Sequence, residues 1–401
     1  MEKPSRTFIV WLLGALSIIS PFAIDMHLPA FALVGADLGV GTQVVSLTLS
    51  AYFIGMALGQ IFYGPLLDRY GRKRPLLSGL ALFVAASVGC AYATTIEALV
   101  ALRFIQALGG CVAGVASLSM VRDLFEVRDV AKIMSRLFLF IAASPLFAPA
   151  IGGMIAFNFG WHAVFFALAG GGALIITLIY FQLPETHQPD PSISLKPLPI
   201  IREYLSIIRH PRFITYALSG AFSFAGLFTY VAGSPIVFMD GFRVSAETYS
   251  MIFAGTAMGF IAASQLNVLL LKRLSSEQLY AAVLALQVLI GAVFMFGSYH
   301  GWYDLQATLV LFFFFLSSVG ISYPNAAALA IAPFKKNVGS ASALLGFLQL
   351  GVGSLISTAI SVFPSKGSFP VIAIMGITSI IGLIILMAGY RRAHADTSCD
   401  L

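Results

Sequence analysis

Charged side chains are scarce in this 401-residue chain: Asp, Glu, Lys and Arg make up 10% of it, against about 25% in a soluble globular domain. With 59% hydrophobic residues beside it, so little charge excludes a domain solvated by water on all sides. Cysteine is scarce as well. Cys90 and Cys111 lie in apolar runs and Cys399 in the tail, which excludes a disulfide framework and leaves no metal-binding spacing. The histidines, His27, His162, His187, His210, His300 and His394, all fall at the ends of apolar runs or between them. No Walker A loop and no cluster of ionisable groups at depth is present, which argues against an intramembrane enzyme. There is no extra soluble domain for a sensor. The net charge of +6 would suit a nucleic-acid binder, but the placement of the basic residues, below, rejects that partner.

What the chain has in quantity is long apolar runs. A membrane helix needs about twenty such residues. Twelve are predicted, at 8–31, 44–67, 75–93, 97–120, 133–157, 162–182, 213–238, 246–271, 277–298, 303–331, 337–363 and 368–390, the tenth bending at Pro324. Lys3 and Arg6 ahead of the first run, with Ala30-Phe31-Ala32 at its end, imitate a cleavable leader. The length of the run from Phe8 to Ile24, Asp25 at its end and the many runs that follow point instead to an uncleaved first span. Of the 23 Lys and Arg residues, all but Arg103, Arg243 and Lys366 then fall on one side. By the positive-inside rule that side is cytoplasmic, and both termini lie on it. A missed or extra span would scramble this separation.

The longest polar segment, Leu183 to Arg212, contains Pro184, Pro189, Pro191, Pro197 and Pro199 and reads as an irregular linker with a short surface helix near Ile200–Ile208. It divides the chain into an N-terminal six-helix bundle (1–182), a cytoplasmic linker (183–212) and a C-terminal six-helix bundle with a short tail (213–401). Ser50, Phe53, Gly55, Ala57 and Gly59 recur at a fixed offset as Ser250, Phe253, Gly255, Ala257 and Gly259. Small membrane residues repeat easily by chance, but with six spans on each side the match suggests a parallel half-repeat.

Four short segments carry the polar chemistry. Between spans 2 and 3, Asp68, Arg69, Arg72, Lys73 and Arg74 crowd a turn that opens on Gly64 and pivots on Gly71. Gly64 is expected to let span 2 approach a neighbour closely. The basic residues either fix topology and bind anionic membrane lipid or take part in a gate. Span 4 holds Arg103, and an isolated Arg at membrane depth costs roughly 2.5–3.5 kcal/mol on insertion scales. At 1.5 Å per residue from Glu97 it lies about 9 Å deep, facing a cavity or a partner, or bonded to backbone carbonyls of span 1. Span 1 holds Asp25 in Pro21-Phe22-Ala23-Ile24-Asp25-Met26-His27-Leu28-Pro29. Asp25 is either a proton site that meets Arg103 or a cap on a helix end, and His27 is placed nearer water. In span 5, Pro145 and Pro149 each remove a helix donor, while Gly152 and Gly153 permit close packing, which makes a pliable seam.

These segments resemble a known family. Gly64-Pro65-Leu66-Leu67-Asp68-Arg69-Tyr70-Gly71-Arg72-Lys73-Arg74 is similar to the motif A loop of major facilitator transporters. Arg103-Phe104-Ile105-Gln106-Ala107-Leu108-Gly109 is similar to motif B, with Ala107 for a Gly. Pro149-Ala150-Ile151-Gly152-Gly153 is similar to the end of antiporter motif C, with Ala148 and Ser144 where the motif has Gly. Ile24 to Ala30, Val121-Arg122-Asp123-Leu124-Phe125 and Leu183-Pro184-Glu185-Thr186 look like the bicyclomycin-resistance (Bcr/CflA) branch of drug:proton antiporters.

The resemblance implies an all-α, multi-pass fold of two pseudo-symmetric bundles in the bacterial inner membrane. It implies a conformational latch at Gly64, Asp68, Arg69, Gly71 and Arg72, in which Asp68 pairs with Arg72 and with the N-terminal dipole of span 11. It implies proton coupling at Asp25 and Arg103, and an antiporter seam at Pro145, Pro149, Gly152 and Gly153 that lies between the halves. Tyr52, Gln106, Phe228, Tyr230, Phe253, Asn325, Phe347 and Gln349 fall in spans that border the central cavity of that fold and are candidate contacts for an amphipathic small molecule. The expected machine exports drugs against inward proton flow, needs no cofactor beyond the proton gradient, binds no nucleic acid and works as a monomer. An exporter of an endogenous metabolite such as an amino acid stays open on this evidence, and an intramembrane enzyme or sensor is the distant third.

Overall fold

The computed structural model describes residues 6–190, 197–334, 338–362 and 368–395. Lys3, Lys196, Lys335, Lys336, Lys366 and Cys399 lie outside them. The described residues are helical, with no strand among them. Twelve helices are long and apolar enough to cross a membrane. Spans 1 to 6 are Arg6–Leu38, Thr42–Tyr70, Lys73–Ala91, Ile96–Leu124, Val127–Phe159 and Trp161–Gln182. Spans 7 to 12 are Pro211–Gly241, Ala246–Leu270, Ser276–Tyr299, Leu305–Ile331, Val338–Val362 and Phe369–Ala395. Each overlaps its predicted run. A short helix, Pro197–Ile208, occupies the middle of the polar segment, and span 10 runs as one helix through Pro324.

Several span starts are written in local chemistry. The first amides of a helix lack intrahelical acceptors. Thr95, Ser245 and Asp304 accept such amides from Ala98, Thr248 and Ala307. Ser275 and Gln278 close a reciprocal capping box at span 9. Each cap contributes about 0.5–2 kcal/mol. The outward faces stay apolar: Phe157, Leu174, Met258 and Leu355 are largely exposed, as lipid solvation requires.

The chain forms two compact units, Met1–Lys196 and Pro197–Leu401, and the same pairing plan is built in each. In the first, span 1 packs against spans 4, 5 and 6, span 2 against span 4, and span 3 against spans 4 and 6. In the second, span 7 packs against spans 10, 11 and 12, span 8 against span 10, and span 9 against spans 10 and 12. This is the parallel repeat in three dimensions. Matched positions are not always used alike. A Cβ on Gly55 would lie 2.5 Å from the Phe104 carbonyl, so span 2 touches span 4 there, whereas Gly255 faces open space. Gly64 also has nothing within 4 Å of a Cβ among the described residues, which corrects the expectation that it permits close approach.

Candidate functional site

Span 1 does not continue as one helix. The α-helix Arg6–Asp25 stops at Asp25, a 3-10 turn follows at Leu28–Ala30, and a second helix covers Phe31–Leu38. Pro29 lacks an amide to donate, which favours this interruption. The break puts a carboxylate where the helix ends. Asp25 is buried, and its Oδ2 accepts a hydrogen bond from the Ser144 hydroxyl of span 5 at 2.9 Å. A Cβ on Gly152, two turns further along span 5, would lie 2.2 Å from the Met26 carbonyl oxygen. Span 5 therefore holds the break at two points, and Gly152 has to be glycine for it. Gly152 of the seam thus faces span 1 of its own unit. Pro149 is buried beside it and Pro145 and Gly153 are half-buried.

His27 corrects an expectation. Expected near water, it is fully enclosed, with its ring against Phe31 at 5.1 Å and Phe165 at 5.3 Å. The Thr48 hydroxyl donates to the Val45 carbonyl at 2.7 Å and lies 3.1 Å from His27 Nε2. Since the hydroxyl proton is already used, Nε2 carries the imidazole proton and donates it to Thr48.

Arg103 is wholly buried. No ion pair joins it to Asp25 among the described residues, and it makes no bond to carbonyls of span 1. Its Nη1 donates to Gln106 Oε1, and Gln106 Nε2 in turn donates to Ser87 of span 3 at 2.7 Å. The guanidinium carbon lies 4.3 Å from the centre of the Tyr52 ring and 5.7 Å from that of Phe165. Aromatic faces thus offset the buried charge, an interaction of about 2 kcal/mol when desolvated. Phe165 touches both His27 and Arg103, so spans 1, 2, 3, 4 and 6 all contribute to one polar cluster, with Asp25 and Ser144 forming a second pair beside it.

The basic end of the same unit carries a third constellation. Gly71 adopts φ +82°, and a Cβ there would lie 2.8 Å from Glu185 Oε2. The turn aims the Arg72 side chain at two carboxylates: Nη1 bonds Asp68 Oδ1, and Nε donates to Asp123 Oδ2 at 2.8 Å. Burial disfavours the Arg72 charge, but the hydrogen bonds and charges of Asp123 and Asp68 outweigh it and hold the guanidinium above the ordinary arginine value. Glu185 accepts the Arg72 amide at 2.7 Å and the Lys73 amide at 3.1 Å, so a carboxylate sits on the positive end of span 3. Thr186 donates to Asp123 at 3.3 Å, and the Asp190 amide donates to the Asp68 carbonyl at 3.3 Å. The start of the linker is strapped across the charged turn. Arg69, next to it, has its guanidinium 5.8 Å from the Tyr70 ring.

In the second unit the candidate contacts are mostly taken up by packing. Tyr230 bonds Thr256 at 2.5 Å and stacks on Phe253. Asn325 donates to Asn267 at 2.6 Å. Phe228 lies on Gly353, Phe347 on the core built around Phe213, Tyr216 and Tyr280, and Gln349 is buried. Sequence reading passed over Ser144, Asp123, Glu185 and Ser87 as individual contributors. Ser144 stood out only as a departure from a glycine motif, and Asp123 and Glu185 only as parts of a signature. A small polar residue where a pattern wants glycine is the signal that marks Ser144.

Comparison with known proteins agrees with this architecture. The Major Facilitator Superfamily pattern matches residues 13–358. The chain is 31% identical over 393 residues to the bicyclomycin resistance protein homolog of Haemophilus influenzae, covering 96% of each. It is 33% identical to the uncharacterized MFS-type transporter YdgK of Bacillus subtilis, with 94% of each covered. It is 30% identical to the multidrug resistance protein MdtL of Escherichia coli, with 93% of each covered. In structure it resembles a D-xylose-proton symporter, with a TM-score of 0.77 over 95% of this chain and 97% of that one, at 16% identity, a likeness of fold alone. Twelve spans in two repeated bundles, the charged turn around Arg72 and these matches lead to one conclusion: the chain belongs to the Major Facilitator Superfamily, among its bicyclomycin-resistance relatives.

Proposed function

We propose that this protein is a proton-coupled antiporter that exports drugs or other amphipathic small molecules across the bacterial inner membrane by alternating access. The observation that carries the reading is Asp25, a buried carboxylate at a helix break inside a span. A group in that setting changes charge only by exchanging a proton with one side or the other, which is what coupling requires. Its relatives named for bicyclomycin and multidrug resistance supply the substrate class. Proton loading neutralises Asp25 and favours the return step; proton loss restores the charge and favours drug loading. Arg103 carries the second buried charge, in the neighbouring cluster. The Asp68–Arg72–Asp123 turn acts as the latch, with Gly71 shaping it and Arg69 and Gly64 flanking it. The protein works as a carrier rather than an enzyme, with both termini cytoplasmic, no cofactor beyond the proton gradient, and as a monomer in contact with membrane lipid.

The test is uptake of bicyclomycin and ethidium by everted vesicles with an acidified lumen. Wild-type vesicles should accumulate both. Asp25→Asn should lose gradient-driven uptake and keep drug–drug counterflow. Full gradient-driven uptake by Asp25→Asn overturns the coupling role. Amino-acid counterflow without drug counterflow overturns the substrate class.

A further inference from the structure

The two points at which span 5 holds the break in span 1 do different jobs. Gly152 makes backbone contact with Met26, which no change of protonation alters. Ser144 makes a hydrogen bond to the Asp25 carboxylate, which protonation does alter. A hydrogen bond donated to an ionised carboxylate is roughly twice as strong as one between neutral groups. Ser144 sits one residue before Pro145, where span 5 lacks a backbone donor, so a pull on its side chain acts where the helix bends most easily.

We propose that Ser144 is the positioning residue of the proton site: its hydroxyl grips the charged Asp25 carboxylate and loosens when Asp25 takes up a proton, so that proton binding is transmitted to the bend in span 5. The proposal rests on the reading that Asp25 carries the coupled proton. The proton arrives on Oδ1, the oxygen Ser144 does not use, and leaves from it; Ser144 keeps its own proton throughout.

Little else near Asp25 competes for this role. On span 1 itself the titratable neighbour is His27, which is bonded to Thr48. Span 4 offers Arg103, whose Nη1 donates to Gln106 and whose Nε and Nη2 have no hydrogen-bond partner among the described residues, and Cys111, which donates to the Met56 carbonyl; Glu97, Arg122 and Asp123 lie towards its two ends. Span 5 has no ionisable residue between Arg136 and its end at Phe159. Span 6 has His162, 3.8 Å from Asp37, and Tyr180 at its far end.

The experiment measures the pH dependence of ethidium binding to the purified full-length protein and of gradient-driven uptake, for wild type, Ser144→Ala, Ser144→Thr and Asp25→Asn. A donor to the carboxylate favours its charged form. Removing it lets Asp25 protonate at a lower proton concentration, so the Ser144→Ala midpoint should move up by about one pH unit, a tenfold change in proton concentration. Ser144→Thr keeps the hydroxyl and should restore the wild-type midpoint. Asp25→Asn should remove the pH dependence altogether. If Ser144→Ala is poorly folded, Ser144→Cys, a weak donor of similar size, should shift the midpoint in the same direction. Superimposed profiles for wild type and Ser144→Ala, or for wild type and Ser144→Cys if alanine is not tolerated, overturn the positioning role and leave Asp25 intact as the proton site. A pH profile unchanged in Asp25→Asn overturns the underlying reading as well.

Discussion

Arg103 is a buried cation held without a carboxylate partner among the described residues. A cation taken out of water loses several kcal/mol of hydration, and a carboxylate partner would normally offset it. Here the offset comes from one amide oxygen and two aromatic faces. Replacement by an apolar side chain of similar length removes the desolvation cost and leaves Gln106 still bonded to Ser87. Arg103→Met should therefore melt at or above the wild-type temperature in detergent while its vesicle uptake falls at least tenfold. A large drop in melting temperature would show that the arginine is structural. That a charge lies at depth was legible from span 4 alone. Its partners were not, because Tyr52, Ser87 and Phe165 come from three other spans and only packing brings them to it.

At the scale of an element, the charged turn and the break in span 1 are opposites. The turn is local: Gly71 gives the positive φ, Asp68 and Arg72 are one helical turn apart, and both facts follow from adjacent sequence. What completes it is remote, since Glu185 lies beyond four intervening spans. Truncation to Glu185→Ala leaves the Arg72 and Lys73 amides without their acceptor, a loss of about 1 kcal/mol. Amide hydrogen exchange over residues 72–76 should then speed up about fivefold, with Glu185→Gln intermediate because a neutral oxygen still accepts. Unchanged exchange would mean that Glu185 does not hold the turn. The break at Asp25 was hidden from a reading by hydropathy, which sees a single apolar run from Phe8 to Phe31. Asp25 and Pro29 are its local cues, and span 5 contacts it at Asp25 and Met26.

For the whole molecule, the basic residues divide so unevenly that orientation is a strong expectation. Single cysteines placed at Arg243 or His300, in a background lacking native cysteine, should react with a membrane-impermeant thiol reagent in intact cells. Cysteines at Arg273 or His187 should react only after permeabilisation. The reverse pattern would invert the topology and, with it, the direction of transport. Apolar run length and charge asymmetry determined by themselves that this chain crosses a membrane twelve times as two six-span halves, because lipid permits few other ways to satisfy the backbone. Motif spacing determined the superfamily. Tertiary structure alone decided that Asp25 answers to Ser144 rather than Arg103, that Gly152 faces span 1 and that Glu185 caps span 3. Each of these is a contact between segments far apart in sequence, and helix periodicity carries no information about which distant neighbour a face will meet.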